Sequence, residues 1–234
     1  MLLKQWLQRG GAWIKQAMPG YCAFCLAPAL PGRGWCAACL EELPWNLDAC
    51  RQCGEPVRHG GSLCGHCLID PPLFSTTQAG LLYQGPIKQL VHDFKFHASP
   101  RAGMLLVELM LLTPPDTLGD AFISVPMTPR HARTRGFNQS RWLAEQLSQQ
   151  LGVPRVTAQR IKETPSQRTL NRRQRAANLV GAFVLSSPPP AHVVIIDDVV
   201  TTGSTGQALA RAALNAGAKR VDIWAAARTP LGKD

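Results

Sequence analysis

Two adjacent carboxylates, Asp197 and Asp198, close an apolar run in VVIIDDVVTTGST, residues 193–205, and hydroxyl and glycine residues follow at once. Carboxylates accept hydrogen bonds from sugar hydroxyls and hold hydrated magnesium. Thr201, Thr202, Gly203, Ser204 and Thr205 then lead into a stretch with Ala208, Ala212, Ala213 and Ala216 on one helical face, ended by Gly217. Free amides and hydroxyls at such a helix start, backed by the helix dipole, make a cradle for phosphate. Phosphate on one side and hydroxyls on the other describe a ribose 5-phosphate. The chain contains neither GxxxxGK[ST] nor GxGxxG, which removes the common nucleotide-binding fingerprints. The alternative is an acid pair that only caps the helix.

The second chemical cluster is metal-ligating. All eight cysteines form CxxC pairs, Cys22/Cys25, Cys36/Cys39, Cys50/Cys53 and Cys64/Cys67, with ten residues between successive pairs. Two thiolates on one tight turn grip a metal, and a second such turn completes a tetrahedral zinc site. Neighbouring and cross-braced pairing both fit equal gaps. A shift of 28 residues superposes Pro28 on Pro56, Gly32 on Gly60, Leu40 on Leu68 and Pro44 on Pro72, so the repeated unit holds two knuckles. That favours sequential sites, Cys22, Cys25, Cys36, Cys39 and then Cys50, Cys53, Cys64, Cys67. Four-sulfur sites leave no open position, so both zinc ions are expected to be structural, with His66 a bystander.

The elements that must position these groups follow from periodicity. Leu3, Trp6, Leu7, Trp13, Ile14 and Ala17 predict a packing helix over residues 1–20, with a double zinc ribbon over 21–72. Residues 73–234 alternate strands, near 78–83, 121–126, 155–161, 179–185, 193–198 and 220–227, with helices, near 86–96, 101–112, 138–151 and 204–216. That order predicts an α/β domain with a mostly parallel sheet flanked by helices, which collects ligands at the carboxyl ends of its strands. No apolar run reaches the length of a membrane span, and no secretory segment is evident, so a cytoplasmic protein is expected.

Charge is unevenly spread. Of a net charge of +10, nine units fall within residues 128–175, where eleven Lys or Arg face only Glu145 and Glu163. Such a stretch suits a polyanion, either nucleic acid or a phosphate-rich metabolite, or else a solvated basic face.

The motif VVIIDDVVTTGST resembles the phosphoribosyl pyrophosphate loop of type I phosphoribosyltransferases. VPMTPRHARTRGFNQS, residues 125–140, and the spacing Gln167, Leu170, Arg175, Asn178, Phe183 are similar to the ComF/GntX family of competence proteins, which carry a zinc ribbon ahead of a phosphoribosyltransferase-like domain. The resemblance implies that Asp197 and Asp198 face ribose hydroxyls with magnesium and that Thr201 to Thr205 wrap the 5-phosphate. It also implies that Arg130, Arg133 and Arg135 stand where the transferases hold pyrophosphate, and that Lys95 is a recurrent lysine of the site. Residues 163–178 match a mobile loop, and Phe137 either stacks on a base or packs in the core. The implied function is binding of phosphoribosyl pyrophosphate and handling of single-stranded DNA in competence-type uptake, alongside proteins of the uptake machinery. The alternative is an active phosphoribosyltransferase on a base or nucleotide precursor, in which Asp197, Asp198 and Arg135 carry catalysis and the zinc region stands where the acceptor hood belongs. A third reading is a regulator that senses phosphoribosyl pyrophosphate.

Overall fold

The computed structural model describes residues 20–57, 62–128, 133, 136–162 and 179–231. The helix expected at the start, the segment 163–178, Arg130 and Arg135 lie outside them. The chain forms two compact units, Met1–Pro44 and Trp45–Asp234.

The 28-residue repeat is a repeat of structure. In the first unit Tyr21 bridges Pro28, the Cys22 amide donates to the Ala27 carbonyl at 2.7 Å, and a short helix α1 spans Ala37–Glu41. In the second unit Ala49 bridges Pro56, the Cys50 amide donates to Glu55 at 2.7 Å, and α2 spans Gly65–Ile69. The first knuckle of each repeat turns through one left-handed residue. Gly54 takes it at φ 70°, whereas the first repeat forces Leu26 to φ 63°, a conformation that costs a side chain energy.

The second ribbon shares its unit with a five-stranded sheet. Strands β1 (Thr77–Leu82), β2 (Ala121–Ser124), β3 (Arg155–Val156), β6 (His192–Val200) and β7 (Arg220–Arg228) lie in the order β1-β7-β6-β2-β3, every pair parallel. Helices α3 (Gly85–Phe96), α4 (Pro100–Leu112), α5 (Gln139–Leu151) and α6 (Ser204–Asn215) connect them. Alternation along β6 and β7 sends Val193, Ile195, Val221 and Ile223 to one face, where they pack with Leu209, Ala210 and Ala213 of α6. Val194, Ile196 and Trp224 face the other way, where α4 packs on β7 and α5 on β6.

Two strand expectations are corrected. The run 155–161 is two strands, because the chain changes sheets at Thr157: β3 pairs with β2, while β4 (Ala158–Arg160) pairs antiparallel with β5 (Phe183–Leu185). The run 179–185 begins as a turn, with Gly181 at φ 64°, and becomes strand only at Phe183.

The free edge of β1 is covered by the second ribbon. The Asn46 amide donates to Gly80 at 2.9 Å, the Thr77 amide to Arg51 at 2.9 Å, and the Asn46 side chain to both Gly54 and Ala79. Pairing of this kind removes an exposed strand edge. Among the described residues, no helix is long and apolar enough to cross a membrane.

Candidate functional site

The crossovers fix where a ligand would sit. From β2 the chain runs through α5 to β3 on one side of the sheet order, and from β6 it runs through α6 to β7 on the other. The carboxyl ends of β2 and β6 therefore bound a switch-point crevice, the place where open α/β sheets bind ligands. Asp197 and Asp198 lie on β6 at this crevice. The strand runs two residues beyond the expected end, because Val199 and Val200 still pair with Ala227 and Arg228, so the acids are within the strand and the turn starts at Thr201.

The two acids have different surroundings. Asp198 is 7% exposed and its carboxylate meets the Lys95 ammonium of α3 at 2.9 Å. Lys95 is therefore no solvated helix lysine. Asp197 is half-buried and accepts from the Ser140 hydroxyl and from the Asp198 amide, each at 2.9 Å. Burial, and then the Asp198 charge, push Asp197 up to about 7 against the opposing pull of Lys95, Ser140 and that amide. Ser140 sits in the first turn of α5, where Asn138 caps the helix by accepting from the Arg141 amide and ties it to β2 by donating to the Val125 carbonyl. Residue types had not singled out Ser140. The available signal was its place at the end of RGFNQS, one turn into a helix that starts at the crevice.

Gly203 stands at φ 76° as the N-cap of α6 and lets the turn reverse. The loop is closed on itself: Thr202 Oγ1 and Ser204 Oγ are 2.9 Å apart, and the Ser204 amide donates to Thr202 Oγ1 at 3.4 Å. The space that it encloses with Asp197 and Thr205 is about 30 Å³, the room of one water. Thr201 is exposed and Thr202, Gly203, Ser204 and Thr205 are half-buried. Arg133 is exposed. Phe137 is half-buried with its ring edge-on to Phe94 at 5.3 Å, beside Trp142, which is the packing outcome and not a free stacking platform.

The cysteines gather in two tetrads, sequential as the repeat implied. In each, four sulfur atoms lie within 4.8 Å of one another. A zinc ion at the usual Zn–S length sets tetrahedral sulfurs about 3.8 Å apart. Cys25 to Cys36 is 3.7 Å and Cys53 to Cys64 is 3.6 Å, so the donor sets fit that ion. Burial opposes ionisation of Cys22 and Cys50, yet knuckle amides bring them down to about 6 and about 7. Neighbouring thiols drive Cys39 up, and burial with neighbouring thiols drives Cys67 up. Four thiolates so close need a cation, which zinc would supply with all four positions filled by sulfur.

Comparison with known proteins agrees with this layout. Residues 13–68 match the model of the double zinc ribbon domain, and residues 138–233 match that of the phosphoribosyl transferase domain. The chain is 37% identical to DNA utilization protein YhgH of Salmonella typhimurium over 91% of its length and 98% of that protein's. It is 30% identical to competence protein F of Haemophilus influenzae, over 83% and 90% of the two chains. Among solved structures, orotate phosphoribosyltransferase from Aeropyrum pernix is similar at 17% identity and a TM-score of 0.37, over 57% of this chain and 75% of that one.

Proposed function

Because the chain belongs to the family of DNA utilization protein YhgH and competence protein F, we propose that it binds phosphoribosyl pyrophosphate or a related ribose phosphate and assists the handling of single-stranded DNA. One observation carries the first half: an acid pair and a glycine-turned helix start share the carboxyl end of the central strand β6, at the switch point of a parallel sheet. In this reading Asp197 and Asp198 accept from the ribose hydroxyls, with the Lys95 ammonium fixing the place of the Asp198 carboxylate. The amides and hydroxyls of Thr201, Thr202, Gly203, Ser204 and Thr205 take the 5-phosphate, and Arg130, Arg133 and Arg135 take the diphosphate as paired hydrogen-bond donors. The same two carboxylates would hold magnesium, which supplies charge neutralisation of the diphosphate. The basic stretch 128–175 supports the second half, as a track for a nucleic-acid backbone, with uptake proteins as partners and the cytoplasm as the setting.

Calorimetry with phosphoribosyl pyrophosphate and magnesium, with and without single-stranded DNA, tests the proposal. Saturable binding that Asp197→Asn with Asp198→Asn abolishes is expected. Heat indistinguishable from dilution would overturn it.

A second reading, transfer of the ribosyl phosphate to a base, is favoured by Asp197 alone, whose acidity near neutrality suits a group that holds or releases a proton. Here Arg135 joins the acid pair in stabilising the departing diphosphate. Pyrophosphate release across a panel of bases, lost in the same double variant, supports this reading, and no release with any base sinks it.

A further inference from the structure

The second zinc ribbon and the loop after β6 are joined through one buried cation. Arg228 ends β7 and is 1% exposed. One guanidinium nitrogen donates to Glu55 of the ribbon at 2.8 Å, and the other donates to the Val200 carbonyl at 3.1 Å and to the Thr201 carbonyl. Glu55 lies two residues past Cys53 and is rooted in its knuckle, since its own carbonyl accepts the Cys50 amide at 2.7 Å. Its other carboxylate oxygen accepts the Leu231 amide at 2.8 Å. Beside this strut, Cys64, His66 and Ile69 of the ribbon face Thr202 and Ser204 across a cavity of about 440 Å³. A second tie runs from the Leu73 amide to the side chain of Gln207, which also lines the cavity, at 2.8 Å.

We infer that Arg228 is a positioning residue through which the second zinc ribbon sets the shape of the loop. The inference rests on the reading of Thr201 to Thr205 as a phosphate loop. In a trans peptide the carbonyl and the following amide hydrogen point opposite ways. The Val200 carbonyl is also held by the Thr229 amide of the β6–β7 ladder at 2.9 Å, so what Arg228 adds is its hold on the Thr201 carbonyl, which turns the Thr202 amide away from it. That amide is among the donors that a phosphate would meet. A fork with several fixed donors spans a carboxylate and two carbonyls, which a single ammonium does not reproduce. Glu55 neutralises the buried charge, and without it the guanidinium stands uncompensated beneath the loop. Because zinc shapes the knuckle that bears Glu55, zinc at the second cluster and phosphate at the loop are thermodynamically linked, and the linkage is reciprocal.

Two measurements on the full chain decide this. In the ligand-free protein, Glu55→Ala and Arg228→Lys should each speed amide hydrogen exchange at residues 201–204 by tenfold or more, with α4 unchanged. Glu55→Ala leaves the knuckle backbone intact and stands alone as the test should Arg228→Lys fail to fold. Exchange at 201–204 equal to wild type overturns the inference. In the second measurement, phosphoribosyl pyrophosphate with magnesium should slow release of one of two zinc ions to a chelator at least threefold, and Glu55→Ala should abolish the slowing. Equal slowing in wild type and Glu55→Ala overturns the linkage. If wild type gives no binding by calorimetry, the phosphate-loop reading falls, and the exchange result still decides whether Arg228 positions the loop.

Discussion

Asp197 and Asp198 are adjacent in the chain and chemically unlike, and both differences are measurable. An unfolded chain releases the Asp197 proton near the ordinary carboxylate value of 3.8, whereas the folded protein keeps it to about 7. Between those values the folded state binds more protons, so this group's contribution to stability falls as pH rises and the full cost is felt above 7. Thermal melts should therefore show Asp197→Asn gaining on wild type from pH 4 to pH 7, by up to about 4 kcal/mol. A difference independent of pH would show that Asp197 ionises normally. Asp198 has the reverse problem, a buried charge with one cationic partner. Lys95→Met should cost on the order of 3 kcal/mol by leaving that charge unpaired, and adding Asp198→Asn should recover most of it. Equal destabilisation by single and double variants would mean that the ion pair is not the source. The acid pair and its loop were legible in the sequence because apolar, acid and glycine residues sit in one short run. Ser140 and Arg228 were not, since each reaches its partner across more than twenty residues of chain and neither stands in a motif of its own chemistry.

Helix α3 carries Lys95, and what positions α3 is a glycine on its neighbour. A Cβ at Gly103 of α4 would stand 2.7 Å from Phe94 Cε2 and 2.7 Å from Trp142 Cζ3. Rings on both sides leave it nowhere to go. Gly103→Ala gains about 1 kcal/mol of helix propensity, but overpacking of this kind costs about 1–3 kcal/mol. The expected outcome is net loss of stability by about 1 kcal/mol. A shift of Phe94 also carries the adjacent Lys95 away from the acid pair and weakens its pull against the rise of Asp197, so the melting profile between pH 4 and pH 7 should change with it. A variant as stable as wild type, with the same pH profile, would place Lys95 beyond the reach of this packing. The helices were legible to within a residue or two, because their caps are local: Ser99 accepts from Ala102, Asn138 from Arg141, and Gly203 opens α6. The short strands β3, β4 and β5 were not, whereas β6 and β7 were. Periodicity reports that RVTAQR is extended but carries nothing about Arg155 pairing with β2 while Ala158 pairs with Leu185.

At the scale of the molecule, the sequence announces its charge and conceals its assembly. The cover of β1 by the second ribbon is made of backbone bonds and the side chains of Asn46 and Thr77, groups that any sequence possesses, so the cysteine pattern predicted a ribbon without saying what it would lean on. Charge is different, because its location is written directly: nine of ten net positive units lie in residues 128–175. If that stretch is a track for single-stranded DNA, each neutralised phosphate releases counterion, and log K falls with log salt at about 0.7 per phosphate. With roughly five phosphates engaged, affinity should drop about a hundredfold between 50 and 200 mM salt. Arg172→Gln with Arg173→Gln should flatten the slope by up to about 1.4, two phosphates' worth, while leaving both zinc ions in place. Binding of a ribose phosphate held by a loop, two acids and a few arginines engages fewer charges and should lose far less over the same range. A DNA slope near zero would mean that the basic stretch is only a solvated face. Equal slopes for DNA and for phosphoribosyl pyrophosphate would assign those arginines to the small ligand.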